Sequence, residues 1–288
     1  LISIPDGYVY IVPAAGYYYD YLNCPMLYEK WTPAQIGNQK FEERDPAILG
    51  GMFAVWNDHA GNGITVRDIH HRVMPALRTI SAKTWAGAAV SVPYAEFARR
   101  GAALSEAPGV NLLGRLPGIA EGRATLRCPR PVLQPNSPVD WVGDAVGYDY
   151  TVSFDLEADS VRRGDVLFSS SDATVYLASP KNGKLAFERE GYLNEFDYVV
   201  PAGRKVRLTF VGTNRETLLF VDGRFRQALY PLTLGSASTD AGLAGASADP
   251  YAASKMYYQR TLVFPLARTG NFVGRISDLS VSNYAEKY

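Results

Sequence analysis

Apolar residues run along this chain in two different rhythms, and the change between them falls near residue 108. In the first part, 8–12 is a short apolar run stopped by Pro13, and 48–56 is a second one ending on an aromatic and polar cluster. A helical rhythm follows: Thr65 is placed to cap a helix with Asp68 three residues on, and Val66, Ile69, Val73, Leu77 and Ile80 recur at steps of three and four as one apolar stripe. Pro75 interrupts that stripe and predicts a bend, because proline removes a helix hydrogen bond. A shorter helix is predicted over 94–104, and an irregular one over 25–40, where Pro33 and Gly37 break the pattern.

From about Gly109 the period shortens to the alternation of strands, with Gly, Pro, Asn and Asp between runs. Predicted strands cover 148–156, 166–169, 174–179, 184–189, 205–212, 217–221 and 272–282. Val206, Leu208 and Phe210 share one face of theirs, since side chains alternate along a strand. Asp222-Gly223 reads as the tight turn of a hairpin, with Gly supplying positive φ. The small-sided stretch 234–254 reads as a surface loop. The division is therefore 1–107 as an α/β segment and 108–288 as an all-β domain.

Two motifs end the apolar runs of the first part. Tyr18 and Asp20 lie two residues apart, as do Trp56 and Asp58, so on extended backbone each aromatic shares a face with a carboxylate. Rings that stack on sugar C–H faces, beside carboxylates that accept from hydroxyls, suit carbohydrate. The alternative is that these Tyr and Trp residues are ordinary packing.

With Gly50-Gly51-Met52-Phe53-Ala54-Val55-Trp56-Asn57-Asp58 and Tyr18-Tyr19-Asp20, residues 9–85 resemble the end of the (β/α)8 TIM barrel of family 20 glycoside hydrolases, the β-N-acetylhexosaminidases. The resemblance implies α/β architecture for the last two β/α units of an incomplete barrel. It implies a catalytic Tyr18 hydroxyl on the 2-acetamido group, Trp56 as the floor of the sugar subsite, and Asp20 and Asp58 on outer hydroxyls. It also implies secretion, or a periplasmic or cell-surface location. Asp58, shorter than a Glu, would leave room for the disaccharide that lacto-N-biosidases release. The Asp-Glu pair that supplies the family's acid is absent, since no such dipeptide occurs in the sequence. A complete barrel takes roughly 250 residues, so the reading requires the missing N-terminal part as a second chain or an upstream segment, and this chain alone would be inactive. Leu1 in place of a starting Met fits a cut piece or one chain of a split protein.

The all-β part resembles laminin G-like, concanavalin A-like antiparallel β-sandwiches. The resemblance rests on Tyr150-Thr151-Val152-Ser153-Phe154, residues 207–211, the hairpin 218–224 and the closing run 272–279. Such modules bind glycans, bind Ca2+ or brace a catalytic domain, and no dense Asp/Asn cluster argues for calcium here. The alternative function is thus a carbohydrate-binding or structural module without catalysis.

Composition narrows partners. With 29 basic and 29 acidic residues and no basic run, nothing suggests nucleic acid, and no apolar stretch approaches the ~20 residues of a membrane span. No cofactor and no metal site is expected: the Cys24 and Cys128 pair and three His lack ligand spacing, and the adjacent His70 and His71 diverge on a helix. A Cys24–Cys128 bridge would have to join the two parts and is the less favoured reading. N-acetylhexosamine-containing glycans are the expected partners.

Overall fold

The computed structural model describes the side chains of residues 24–36, 39–53, 65–89, 91–104, 106–230 and 259–286, and the backbone of the short strands Ile2–Ser3, Val9–Tyr10, Val55–Trp56, Leu232–Ser236 and Lys255–Tyr258. The chain forms two compact units: residues 1–60, 68–110 and 235–256, and residues 61–67, 111–234 and 257–288.

The second unit is an antiparallel β-sandwich. Its larger sheet has the order Arg224–Leu229, Thr217–Val221, Lys205–Gly212, Tyr150–Ser160, Val273–Ser282, Thr125–Arg127, and Val132–Leu133 adds to the Val273–Ser282 strand. The second sheet runs Tyr192–Glu195, Ala186–Arg189, Ala173–Tyr176, Val166–Ser169, Arg268–Thr269. Alternation decides which side each residue takes. Along Tyr150–Ser160, the residues Tyr150, Val152, Phe154, Leu156 and Ala158 are fully buried, and they sit beside Val206, Leu208 and Phe210 of the neighbouring strand. Phe168, Val175 and Phe187 supply the inner face of the other sheet.

Aromatic rings join the two layers. Phe154 meets Phe168 edge-on at 5.2 Å between centroids, and Phe210 lies 5.9 Å from Phe196 and 5.3 Å from Phe264. Offset and edge-on pairs of this kind add to area burial because ring edges are positive and faces negative. Gly212 is required where it is: a Cβ there would come within 2.1 Å of the Tyr150 ring. The Asp222-Gly223 turn has φ of 51° and 75°, the doubly positive geometry of a two-residue hairpin turn.

The first unit contains α1 (Cys24–Lys30), most of α2 (Val66–Ala86) and α3 (Tyr94–Ala103). Ala76 and Ile80 pack on Cys24, Leu27 and Trp31. This contact turns α2 away from the expected orientation. Its buried side carries Asp68, Arg72, Ala76, Thr79, Ile80 and Lys83, while Val66 and Leu77 of the predicted stripe are 65% and 45% exposed. The helix continues through Pro75, whose carbonyl accepts from the Thr79 hydroxyl at 2.9 Å.

The (β/α)8 expectation is not met. Among the described residues, parallel pairing is confined to Ile2–Ser3 with Gly50–Gly51 and Val9–Tyr10 with Val55–Trp56, two residues in each strand. Pairs this short form no barrel wall; the described residues otherwise hold three helices and antiparallel sheets. The motifs looked like strand ends of a barrel because a short apolar run before an aromatic reads the same way in any α/β context. Cys24 and Cys128 are free thiols, and burial raises the pKa of the Cys24 thiol.

Candidate functional site

Of the residues singled out in the sequence, Tyr18, Asp20 and Asp58 lie outside the described residues. Trp56 stands in the strand Val55–Trp56, where its backbone pairs in parallel with Tyr10, and its side chain is outside the described set.

A cavity of about 130 Å³ in the first unit presents the chemistry sought at those positions. Pro33, Ala34, Ile48 and Leu49 give it apolar lining, Glu43 and Arg44 give it charge, and Thr84, Trp85 and Gly87 come from the end of α2. Trp85 is 91% exposed and Leu49 79%. Together they give the rim of the cavity an open apolar surface on which a ring could stack.

Local sequence explains each position. Thr32 starts a turn in which the Gln35 N–H donates to its carbonyl at 3.0 Å and the Ala34 N–H reaches its hydroxyl at 3.3 Å. The same hydroxyl donates to Glu43 Oε1 at 2.8 Å. Glu42 to Asp45 form the next turn, with the Asp45 N–H on the Glu42 carbonyl at 3.1 Å and Arg44 at φ 66°. Asp45 stabilises the following bend by accepting from the Ala47 N–H at 2.8 Å, as an Asx turn does.

Helix α2 ends at Gly87, whose N–H donates to the Lys83 carbonyl at 2.8 Å with φ of 66°. Glycine past the last turn is favoured because it enters the left-handed region without a Cβ clash. It has a second reason to be glycine: an added Cβ would lie 2.1 Å from Glu43 Oε2. The helix terminus thus sets Trp85 and the space for the Glu43 carboxylate at once.

Lys83, four residues before Gly87 on α2, feels the charge of this carboxylate. It is 1% exposed, and its Nζ has no hydrogen-bond partner among the described residues. Burial pushes its pKa down, and the charge of Glu43 draws it part of the way back. Trp85, Glu43 and Arg44 were not picked out from sequence. The available signal was Trp85-Ala86-Gly87, an aromatic just before a helix-ending glycine.

The sandwich carries charge on both outer faces, arranged differently. On the larger sheet Asp155 accepts from Lys205 at 2.7 Å and Arg207 at 2.9 Å, and Arg207 also bonds Asp278 at 2.8 Å. Burial alone would raise the Asp155 carboxyl, but these cations leave it below its ordinary value. On the smaller sheet the carboxylates are held by neutral donors: Tyr176 donates to Glu188 at 3.2 Å, and Glu195 accepts from Ser179 and, at 2.9 Å, from Asn182. Burial and then Glu188 raise the Tyr176 phenol above its usual pKa.

Among the described residues no group of His, Cys, Asp or Glu could hold a metal ion, and no helix is long and apolar enough to cross a membrane.

In fold, the second unit is a two-sheet antiparallel β-sandwich. No known protein family matches the chain, and no curated protein does. Membership of family 20 of the glycoside hydrolases is therefore withdrawn, on this finding and on the absence of barrel units from the described residues.

Similarity to solved structures is distant. Domain 4 of AbnA, a GH43 extracellular arabinanase from Geobacillus stearothermophilus, is 11% identical with a TM-score of 0.32, over 58% of this chain and 84% of that one. The galectin LEC-6 of Caenorhabditis elegans is 12% identical with a TM-score of 0.30, over 55% and 94%. A SAP-like pentraxin of Limulus polyphemus is 11% identical with a TM-score of 0.29, over 54% and 70%. At this distance, what those proteins bind carries no inference to this chain.

Proposed function

We propose that the protein is a non-catalytic carbohydrate-binding module whose ligand stacks on Trp85. One observation carries this reading: an almost fully exposed indole at a cavity that also holds a fixed carboxylate and a guanidinium. A pyranose has an apolar C–H face for the ring and hydroxyls that donate to Glu43 or accept from Arg44. Catalysis of glycoside hydrolysis ordinarily takes a pair of carboxyl groups across the scissile bond, and Glu43 is the single carboxylate among the described residues of this lining. That count supports binding without turnover.

The expected affinity is weak. A monosaccharide of about 12 heavy atoms, at ~0.3 kcal/mol per atom, gains roughly 4 kcal/mol, a Kd in the millimolar range. The test is titration with a panel of methyl glycosides of neutral hexoses and N-acetylhexosamines, followed by calorimetry or NMR. Saturable binding that Trp85→Ala removes supports the proposal; no binding, or binding untouched by that change, refutes it. A secreted or cell-surface location would accord with such a ligand.

A further inference from the structure

We propose, resting on the reading just given, that the Trp85 site holds one sugar residue at the end of a glycan and has no subsite for a neighbouring ring. A cleft that binds along a chain needs a platform for each successive ring, and Trp85 is the single aromatic side chain among the described residues of the lining. The cavity is an open one of about 130 Å³, well below the ~300–1,000 Å³ of pockets that enclose a drug-sized ligand. It matches one ring or part of one.

The polar groups have the same reach. Glu43 Oε1 is engaged by Thr32, and the missing Cβ of Gly87 leaves the room that Oε2 occupies. The carboxylate is therefore held in place before any ligand arrives, which limits the ordering cost of binding. Being an acceptor only, it selects a ligand that presents hydroxyl donors. Arg44, the next residue, supplies donors on the same short turn. Among the described residues of the lining, none beyond these and Trp85 offers a second ring an aromatic platform or a charged partner.

The experiment takes the tightest methyl glycoside from the panel and compares it with the disaccharide and trisaccharide that end in the same residue, and with a trisaccharide that carries the residue only internally. The first three should bind within about threefold of one another, and the last should bind at least about tenfold more weakly, since its ring is blocked on both sides. Thr32→Val should weaken all three lengths by the same factor, and Thr32→Ser should restore them. A tenfold or greater gain from monosaccharide to trisaccharide, or equal binding of the internal residue, would overturn the inference while leaving the binding reading intact. If no sugar in the panel perturbs Trp85, the binding reading falls, and this inference with it.

Discussion

Replacing Gly87 by Ala tests whether the end of α2 builds the site. Two costs add in this substitution. A Cβ residue at φ 66° pays about 1 kcal/mol for the left-handed region. The new methyl would also lie 2.1 Å from Glu43 Oε2, so the carboxylate must move and gives up its 2.8 Å bond to Thr32, worth about 1 kcal/mol more. The sum is roughly 2 kcal/mol. Gly109→Ala is the control within the same unit: φ is 74° and nothing lies within 4 Å of the added Cβ, so only the conformational cost remains. Urea denaturation of both variants should show Gly87→Ala as the more destabilised by about 1 kcal/mol. Sugar binding should be lost in Gly87→Ala and kept in Gly109→Ala. Placed in a Glu43→Ala background, Gly87→Ala should cost only the conformational ~1 kcal/mol relative to Glu43→Ala alone, since the carboxylate that the methyl meets is gone. Equal destabilisation by the two glycine changes, with binding retained in both, would refute the reasoning.

Other outcomes are expected elsewhere in the chain. Phe210→Ala removes a fully buried ring packed on Phe196 and Phe264 and should cost about 3–5 kcal/mol in denaturant unfolding; a cost under 1 kcal/mol would contradict the inter-sheet core. Gly212→Ala should also destabilise the sandwich, by an amount that Tyr150→Phe does not recover, because the ring and not only its hydroxyl occupies that space. His71 is pushed down to about 4, by burial first and by Arg72 next, so between the ordinary 6.5 and about 4 the unfolded chain takes up a proton that the folded chain refuses. Stability should be complete above pH 6.5 and fall as pH drops through that window, and His71→Gln should flatten the decline; an unchanged pH profile would contradict it. Glu96 is held down to about 2 by Arg99 and Arg100, so its contribution is present above its unfolded pKa near 4 and is lost only as pH falls toward 2; titration of the Glu96 carboxyl by NMR checks this.

The sandwich was legible because its strands obey a local rule. Alternation in 205–212 put Val206, Leu208 and Phe210 on one face, and the structure buries all three. The strands Thr125–Arg127 and Val132–Leu133 were missed, being too short to show a period. The first unit was misread for a different reason. The stripe from Val66 to Ile80 is a good amphipathic pattern, yet α2 packs through Ala76 and Ile80 and buries Asp68, Arg72 and Lys83 on the same side. Tertiary contact decided the face, and no periodicity in one helix reports it. The candidate site was illegible because Trp85, Glu43 and Arg44 come from a helix end and a turn far apart in sequence. What joins them is the Thr32 hydroxyl and the missing Cβ of Gly87, which leave no spacing to read.

The most direct test of the central claim is the indole Nε1–H resonance of Trp85, assigned by its loss in Trp85→Phe and followed while the panel of methyl glycosides is titrated in. Carbohydrate binding on this ring predicts a saturable shift of that resonance, larger than those of Trp31 and Trp141, with a Kd in the millimolar range. A Trp85 resonance unmoved by every glycoside would contradict the account.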